Sequence, residues 1–169
     1  QKLKLKKVAI LYGNDDAFTK SGYDAFKKAV DAEKLEVVTT ETFAKGDIDF
    51  SAQLTKIKSL NPDAIVCSAL VEEAANIILQ ARKLGIPEGV HFIGGNGFNS
   101  QKISEIAGKA ADRVLEIWSE FRRAHARVLE LAEKDEAFRK FLDTISPGNL
   151  SRLDEMTALV IASEGEAAV

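Results

Sequence analysis

Three groups of residues in this 169-residue chain are of types and spacing that could carry chemistry. The stretch HFIGGNGFNS, 91–100, places Gly94, Gly95 and Gly97 directly after a short apolar run. Its pattern Gly95-x-Gly97-x-x-Ser100 comes close to the glycine-rich turn that cradles a dinucleotide phosphate. Asp15 and Asp16 adjoin at the end of another apolar run, where a phospho-accepting domain would hold its metal. Cys67, the single cysteine, offers a thiol nucleophile, and His91 and His125 are the only imidazoles that could activate it.

The elements that must position these groups decide among the readings. VAILY, 8–12, is a continuous apolar run ending at Gly13-Asn14-Asp15-Asp16, as expected of a strand buried on both faces. Tyr23, Phe26 and Val30 then recur at helical spacing with lysines opposite, a stripe that packs on a sheet. LEVVTTETF, 35–43, is rich in β-branched residues and reads as a second strand. Asp49 is placed to cap a helix whose apolar stripe is Phe50, Leu54 and Ile57, and Asn61-Pro62-Asp63 stops it. AIVCSAL, 64–70, is the third strand, and Ala74, Ile77, Ile78 and Ala81 carry the third helix as far as Gly85 and Pro87. HFIGG is the fourth strand, followed by a helix marked by Ile103, Ile106 and Ala107. Successive βα units imply right-handed crossovers and a doubly covered parallel sheet. The fold class is therefore α/β, a flavodoxin-like or Rossmann-like sheet of four or five strands with helices on both faces, plus a helical C-terminal segment.

In such a sheet ligands sit beyond the carboxyl ends of the strands, near the reversal of strand order. That selects the loops Gly13 to Phe18, Ser68 to Glu72 and Gly94 to Asn99. A dinucleotide turn belongs after the first strand, with an acidic residue about 20 residues on. Here the glycines follow the fourth strand, so glycine serving a positive φ or the close approach of a ligand is favoured over phosphate binding. A phospho-accepting site needs a further carboxylate at the end of the third strand, where this chain has Cys67-Ser68-Ala69, so that reading fails. His91 stands at the entering end of its strand, which leaves Cys67 as a buried, inert thiol. Asp15 and Asp16 are most simply turn and helix-start residues.

Bulk composition narrows the classes further. Hydrophobic residues make up 46% and charged residues 29%, and the net charge is −3, values of a folded domain that binds no nucleic acid. No apolar run approaches the roughly 20 residues that span a bilayer, so no membrane insertion is expected. QKLKLKK is not followed by an apolar segment and is read as the approach to a strand, without a signal peptide. One cysteine excludes an internal disulfide, and two histidines in unrelated contexts argue against a metal. No cofactor and no catalytic residue are expected.

Taken together, KKVAILYGNDDAFTKSGYDAFKKAV, ETFAKGDIDFSAQLTKIKSLNPDAIV, EEAANIILQARKLGIPEGVHFIGGNGFNS and ISEIAGKAAD closely resemble the C-terminal lobe of type I periplasmic binding proteins. The nearest subgroup serves ABC transporters for branched-chain and other amino acids. The resemblance covers residues 7–112 and implies a small amino acid bound in a cleft between two lobes, in the periplasm. It implies ligand contacts at Asn14, Phe18, Leu70, Asn96 and Phe98. The family often places an aromatic ring and a carboxylate where this chain has Leu70 and Asn96, which weakens the assignment to a standard branched-chain amino acid.

After Asp112 the pattern changes. Residues 1–112 contain 14 Lys and 1 Arg, whereas 113–169 contain 2 Lys and 6 Arg. Val114, Ile117, Trp118, Phe121, Val128 and Leu131 predict a helix, a second begins at Asp135, and TALVIA suits either a helix or a fifth strand. The expected organisation is a binding-protein lobe over 1–112 and a helical segment over 113–169 that covers it, an engineered chimera or a truncated relative. Its expected role is a scaffold without transport or catalytic activity, with amino-acid binding, a flavodoxin-like cofactor domain and self-association as alternatives. The expected partner is a small amino acid, held weakly, and the expected state is a monomer or weak homodimer.

Overall fold

The computed structural model describes residues 4–98, 100–114, 134–137 and 140. Strand β1 (Lys7–Gly13), helix α1 (Ala17–Ala32), β2 (Glu36–Phe43), α2 (Ser51–Ser59), β3 (Ala64–Ser68), α3 (Val71–Lys83), β4 (His91–Gly94) and α4 (Gln101–Ala107) follow in that order. Short 3-10 turns occupy Asn96–Phe98 and Gly108–Ala111. The four strands form one parallel sheet in the order β2-β1-β3-β4. The order reverses between β1 and β3, where Tyr12 lies opposite Ser68 at their carboxyl ends.

The apolar runs become central strands because alternate side chains serve opposite faces. Val8 and Ile10 of β1, Ala64 and Val66 of β3 and Ile93 of β4 pack with Phe26, Ala29 and Val30 of α1. Ala9, Leu11, Ile65, Cys67 and Phe92 instead pack with Leu54 and Ile57 of α2 and with Ala74, Ile77, Ile78 and Ala81 of α3. β2 is an edge strand, and its buried fraction falls accordingly.

Polar side chains fix the entering end of the sheet. Both Lys6 and Lys7 donate their backbone N–H to Asp63 Oδ2 at 2.8 Å. Asp63 also donates its own N–H to the Lys7 carbonyl and accepts the His91 N–H at its carbonyl, so one residue aligns β1, β3 and β4. The Lys7 N–H holds the Asp63 carboxyl below its ordinary value despite partial desolvation, with help from Lys6. Arg82 donates to the carbonyls of Ile86, Pro87 and Val90 and lies 5.2 Å from the Phe92 ring centre, which fixes the path from α3 into β4.

Several sequence expectations need adjustment. β3 ends at Ser68 and β4 at Gly94, each short of the predicted stretch because the chain turns there into the rim loops. Helix α2 starts at Ser51 with buried Phe50 at its N-cap position, and Asp49 reaches the Ser51 N–H from one residue further out. Ile106 is 37% exposed, so α4 packs through Ile103 and Ala107 alone. Past Asp112, Val114 is buried in the core on the α2/α3 face. Asp135 accepts the Ala137 N–H, as a residue starting a helix does. The expectations for Trp118, Phe121, Phe138, Phe141 and TALVIA lie outside the described residues.

Candidate functional site

The rim at the carboxyl ends of β1 and β3 is built by capping and by close backbone approach. Asp16 caps α1, accepting the N–H groups of Phe18 and Thr19 at 3.0 Å, while Thr19 Oγ1 donates to the Gly13 carbonyl at 2.8 Å. The Thr19 N–H keeps the Asp16 carboxyl below its ordinary value, with Lys45 and the Phe18 N–H adding to the effect. Phe18, in the first turn of α1, is 47% exposed, and Asn14 on the preceding loop is exposed as well. On the neighbouring strand, Ser68 and Ala69 are buried and Leu70 is half-buried at the N-cap of α3, where no side chain caps the helix.

The glycine-rich stretch packs against this rim. A Cβ on Gly97 would lie 2.0 Å from the Ala69 carbonyl oxygen, and one on Gly94 would lie 2.1 Å from the Phe98 ring. Gly97 therefore lets the loop after β4 lie on the loop after β3, a close approach of backbone and not of the ligand suggested by the sequence, while the positive-φ glycines of the described residues are Gly46, Gly85 and Gly108. Asn96 opens the turn that Gly97 anchors. Phe98 corrects the expected ligand set: it has no exposed surface and belongs to the core on the α2/α3 face, so its ring supports the turn instead of meeting a ligand.

A second loop flanks the rim beyond β2. Lys45 donates its N–H to Asp15 Oδ1 at 2.8 Å and Gly46 donates to Glu73 Oε1 at 3.0 Å. Gln80 grips the following residues, accepting the Phe50 N–H at 2.8 Å and donating to the Ile48 carbonyl at 2.7 Å. Nothing in the sequence pattern singled out Glu73 or Gln80, since their partners lie some thirty positions away. The carboxylates around the rim are thus engaged: Asp47 accepts the Ala44 N–H, Asp49 the Ser51 N–H, and Glu72 sits 3.0 Å from Lys102 Nζ.

Catalytic chemistry finds no constellation among the described residues. Cys67 is fully buried, and that burial, reinforced by Glu73, pushes its thiol well above the ordinary range. His91 lies at the opposite end of the sheet with Nδ1 buried and unpartnered. No group of three or more His, Cys, Asp or Glu among the described residues could hold a metal ion. A cavity of about 470 Å³ also lies at that opposite end, lined by Lys58, Asn61, Pro62, Gly85, Ile86 and Val90, away from the strand-order reversal.

Comparison with known proteins decides the family. The sequence matches the periplasmic binding protein family over residues 1–143. The chain belongs to that family. It is 29% identical over 118 residues to the Leu/Ile/Val-binding protein of Citrobacter freundii, covering 68% of this chain and 30% of that one. Among solved structures, it is similar to the branched-chain amino acid transporter substrate-binding protein of Streptococcus pneumoniae in complex with isoleucine. That match has 38% identity and a TM-score of 0.58, over 64% of this chain and 30% of the other. A solute-binding protein of R. palustris in complex with benzoate is 29% identical with a TM-score of 0.55, over 63% of this chain and 28% of the other. This periplasmic binding protein chain thus spans about a third of the length of the relatives it matches. The R. palustris relative is described as the solute-binding protein of an ABC transporter, and no helix among the described residues of this chain is long and apolar enough to cross a membrane.

Proposed function

We propose that this chain carries the ligand-facing side of one lobe of a small-molecule-binding protein, with Asn14, Phe18, Leu70 and Asn96 as its contacts, and that it binds without catalysing. The observation that carries this reading is that Phe18, exposed just after β1, and Leu70, half-buried just after β3, follow the carboxyl ends of the two strands between which the order reverses. The relatives' ligands, isoleucine and benzoate, support a small, largely apolar molecule as its size class. The family's location supports a periplasmic setting. With one side of a cleft, affinity is weak, because fewer contacts offset the entropy lost on association.

A thermal-shift screen against the amino acids, benzoate and FMN tests this. Saturable stabilisation is expected, about 1.4 kcal/mol at a ligand concentration ten times Kd. It should be lost in Phe18→Ser. FMN alone stabilising the chain would favour a flavodoxin-like cofactor domain. A cooperative melt with no shift for any compound would favour a folded scaffold without binding.

The change from lysine to arginine after Asp112 supports a second element of the reading, a join near that residue, although the family match runs past it to residue 143. Truncation after Asp112 removes buried Val114 and should lower solubility. A soluble 1–112 fragment with a cooperative melt would contradict that.

A further inference from the structure

The connection from β2 to α2 is tied to the loop after β1 and to the helix after β3. Asn14 donates its N–H to the Phe43 carbonyl at 3.0 Å, and Lys45 donates its own to Asp15 Oδ1 at 2.8 Å. The Lys45 ammonium adds a looser pairing with Asp16, Nζ to Oδ2 at 3.6 Å. One residue on, the Gly46 N–H goes to Glu73 Oε1 at 3.0 Å, in the first turn of α3. Because β1 lies between β2 and β3, this connection leaves the edge strand, passes the carboxyl end of β1 and reaches the helix that follows β3. Gly46 makes that reach with a φ of +85°, a backbone that a side chain would strain.

Glu73 is 6% exposed, and a carboxylate taken that far from water is kept only where donors and a helix N-terminus compensate it. A neutral side chain would pack there at less cost; what the carboxylate adds is a strong hold on the Gly46 N–H. It stands three positions after Leu70, on the turn that Leu70 opens. Asn14 and Leu70, on loops after different strands, are thereby joined by one path: Glu73 on α3, Gly46 and Lys45, then Asp15 beside Asn14. We propose that Glu73 is a positioning residue of the candidate site: through Gly46 and Lys45 it sets where the loop carrying Asn14 stands relative to Leu70. The inference rests on the rim being the ligand site, the reading given above.

Benzoate is titrated into the full 169-residue chain and into Glu73→Ala, Glu73→Gln, Asp15→Ala and the variant carrying both alanines. The backbone amide resonances of Asn14, Phe18 and Leu70 are followed by NMR. Before any benzoate is added, Glu73→Ala should already shift Asn14 and Asp15, which it does not touch. It should then weaken benzoate about fivefold, the worth of one hydrogen bond, while Glu73→Gln, which keeps an acceptor for Gly46, stays within about twofold. Both substitutions cut one path, so the double variant should be no weaker than the weaker single one. Asp15 is exposed, so Asp15→Ala tests the path even where the buried substitution fails to fold. Unchanged affinity in Glu73→Ala or in Asp15→Ala, or losses that add in the double variant, would overturn the inference and leave the site standing. If benzoate moves none of these resonances in the unsubstituted chain, the site itself fails and the inference falls with it.

Discussion

Replacing Gly97 by alanine is the sharpest perturbation of the rim, because the obstacle is backbone. The added methyl carbon would stand 2.0 Å from the Ala69 carbonyl oxygen, 3.1 Å from the Ala69 carbonyl carbon and 3.2 Å from that of Leu70. None of these is the end of a flexible side chain, so the loop after β4 must lift off the loop after β3. Overpacking of this kind costs about 1–3 kcal/mol, and the depth of the overlap puts Gly97→Ala at the upper part of that range. At about 2–4 °C per kcal/mol for a chain of this size, Tm should fall by roughly 5–10 °C. Gly89→Ala is the control, since a Cβ there meets nothing within 4 Å. Both variants are melted by circular dichroism alongside the unsubstituted chain. Equal Tm values for Gly97→Ala and Gly89→Ala would refute the close-approach account of the glycine-rich loop.

Other consequences follow from the same structure. Asp63→Ala strands the Lys6 and Lys7 N–H groups and should lower stability by about 1–3 kcal/mol in urea unfolding; a loss below about 0.5 kcal/mol would mean these bonds do not align the sheet. Burial, with Arg113 and Arg82 nearby, holds His91 below its ordinary value of 6.5, against the opposing pull of Asp63. The unfolded chain therefore takes up the proton first, so this contribution is full above about pH 6.5 and is lost as pH falls through the lower folded value. Subtracting the pH–stability curve of His91→Gln should reveal that slope, and parallel curves would contradict it. Buried Cys67 should react with a thiol reagent only at the rate of unfolding, so rapid modification of the native chain would show the thiol to be accessible.

What could be read from the sequence was whatever local patterning dictates. The continuous run 8–12 became a strand buried on both faces because nothing in it must face water, and Asp16 capped α1 as its place before the helix suggested. The order of βα units pointed to the carboxyl ends of β1 and β3 as the candidate rim. What escaped depends on neighbours distant in the chain. Phe98 looks like any aromatic on a loop until Gly94 is seen to make room for it. Asp63 reads as a helix-stop residue, yet its carboxylate works on the start of β1, more than fifty positions earlier. Ile106 fits a three- and four-residue spacing, but α4 spans only Gln101–Ala107 and turns that side chain outward.

The central claim concerns which end of the sheet receives the ligand, the rim of β1 and β3 or the cavity of about 470 Å³ at the other end. Backbone chemical-shift mapping of the 169-residue chain with saturating benzoate tests this most directly. The account predicts concentration-dependent shifts at Asn14, Phe18, Leu70 and Val71 with Asn61, Gly85 and Val90 unmoved. Shifts confined to Asn61, Gly85 and Val90 would contradict it and move the site to the opposite end.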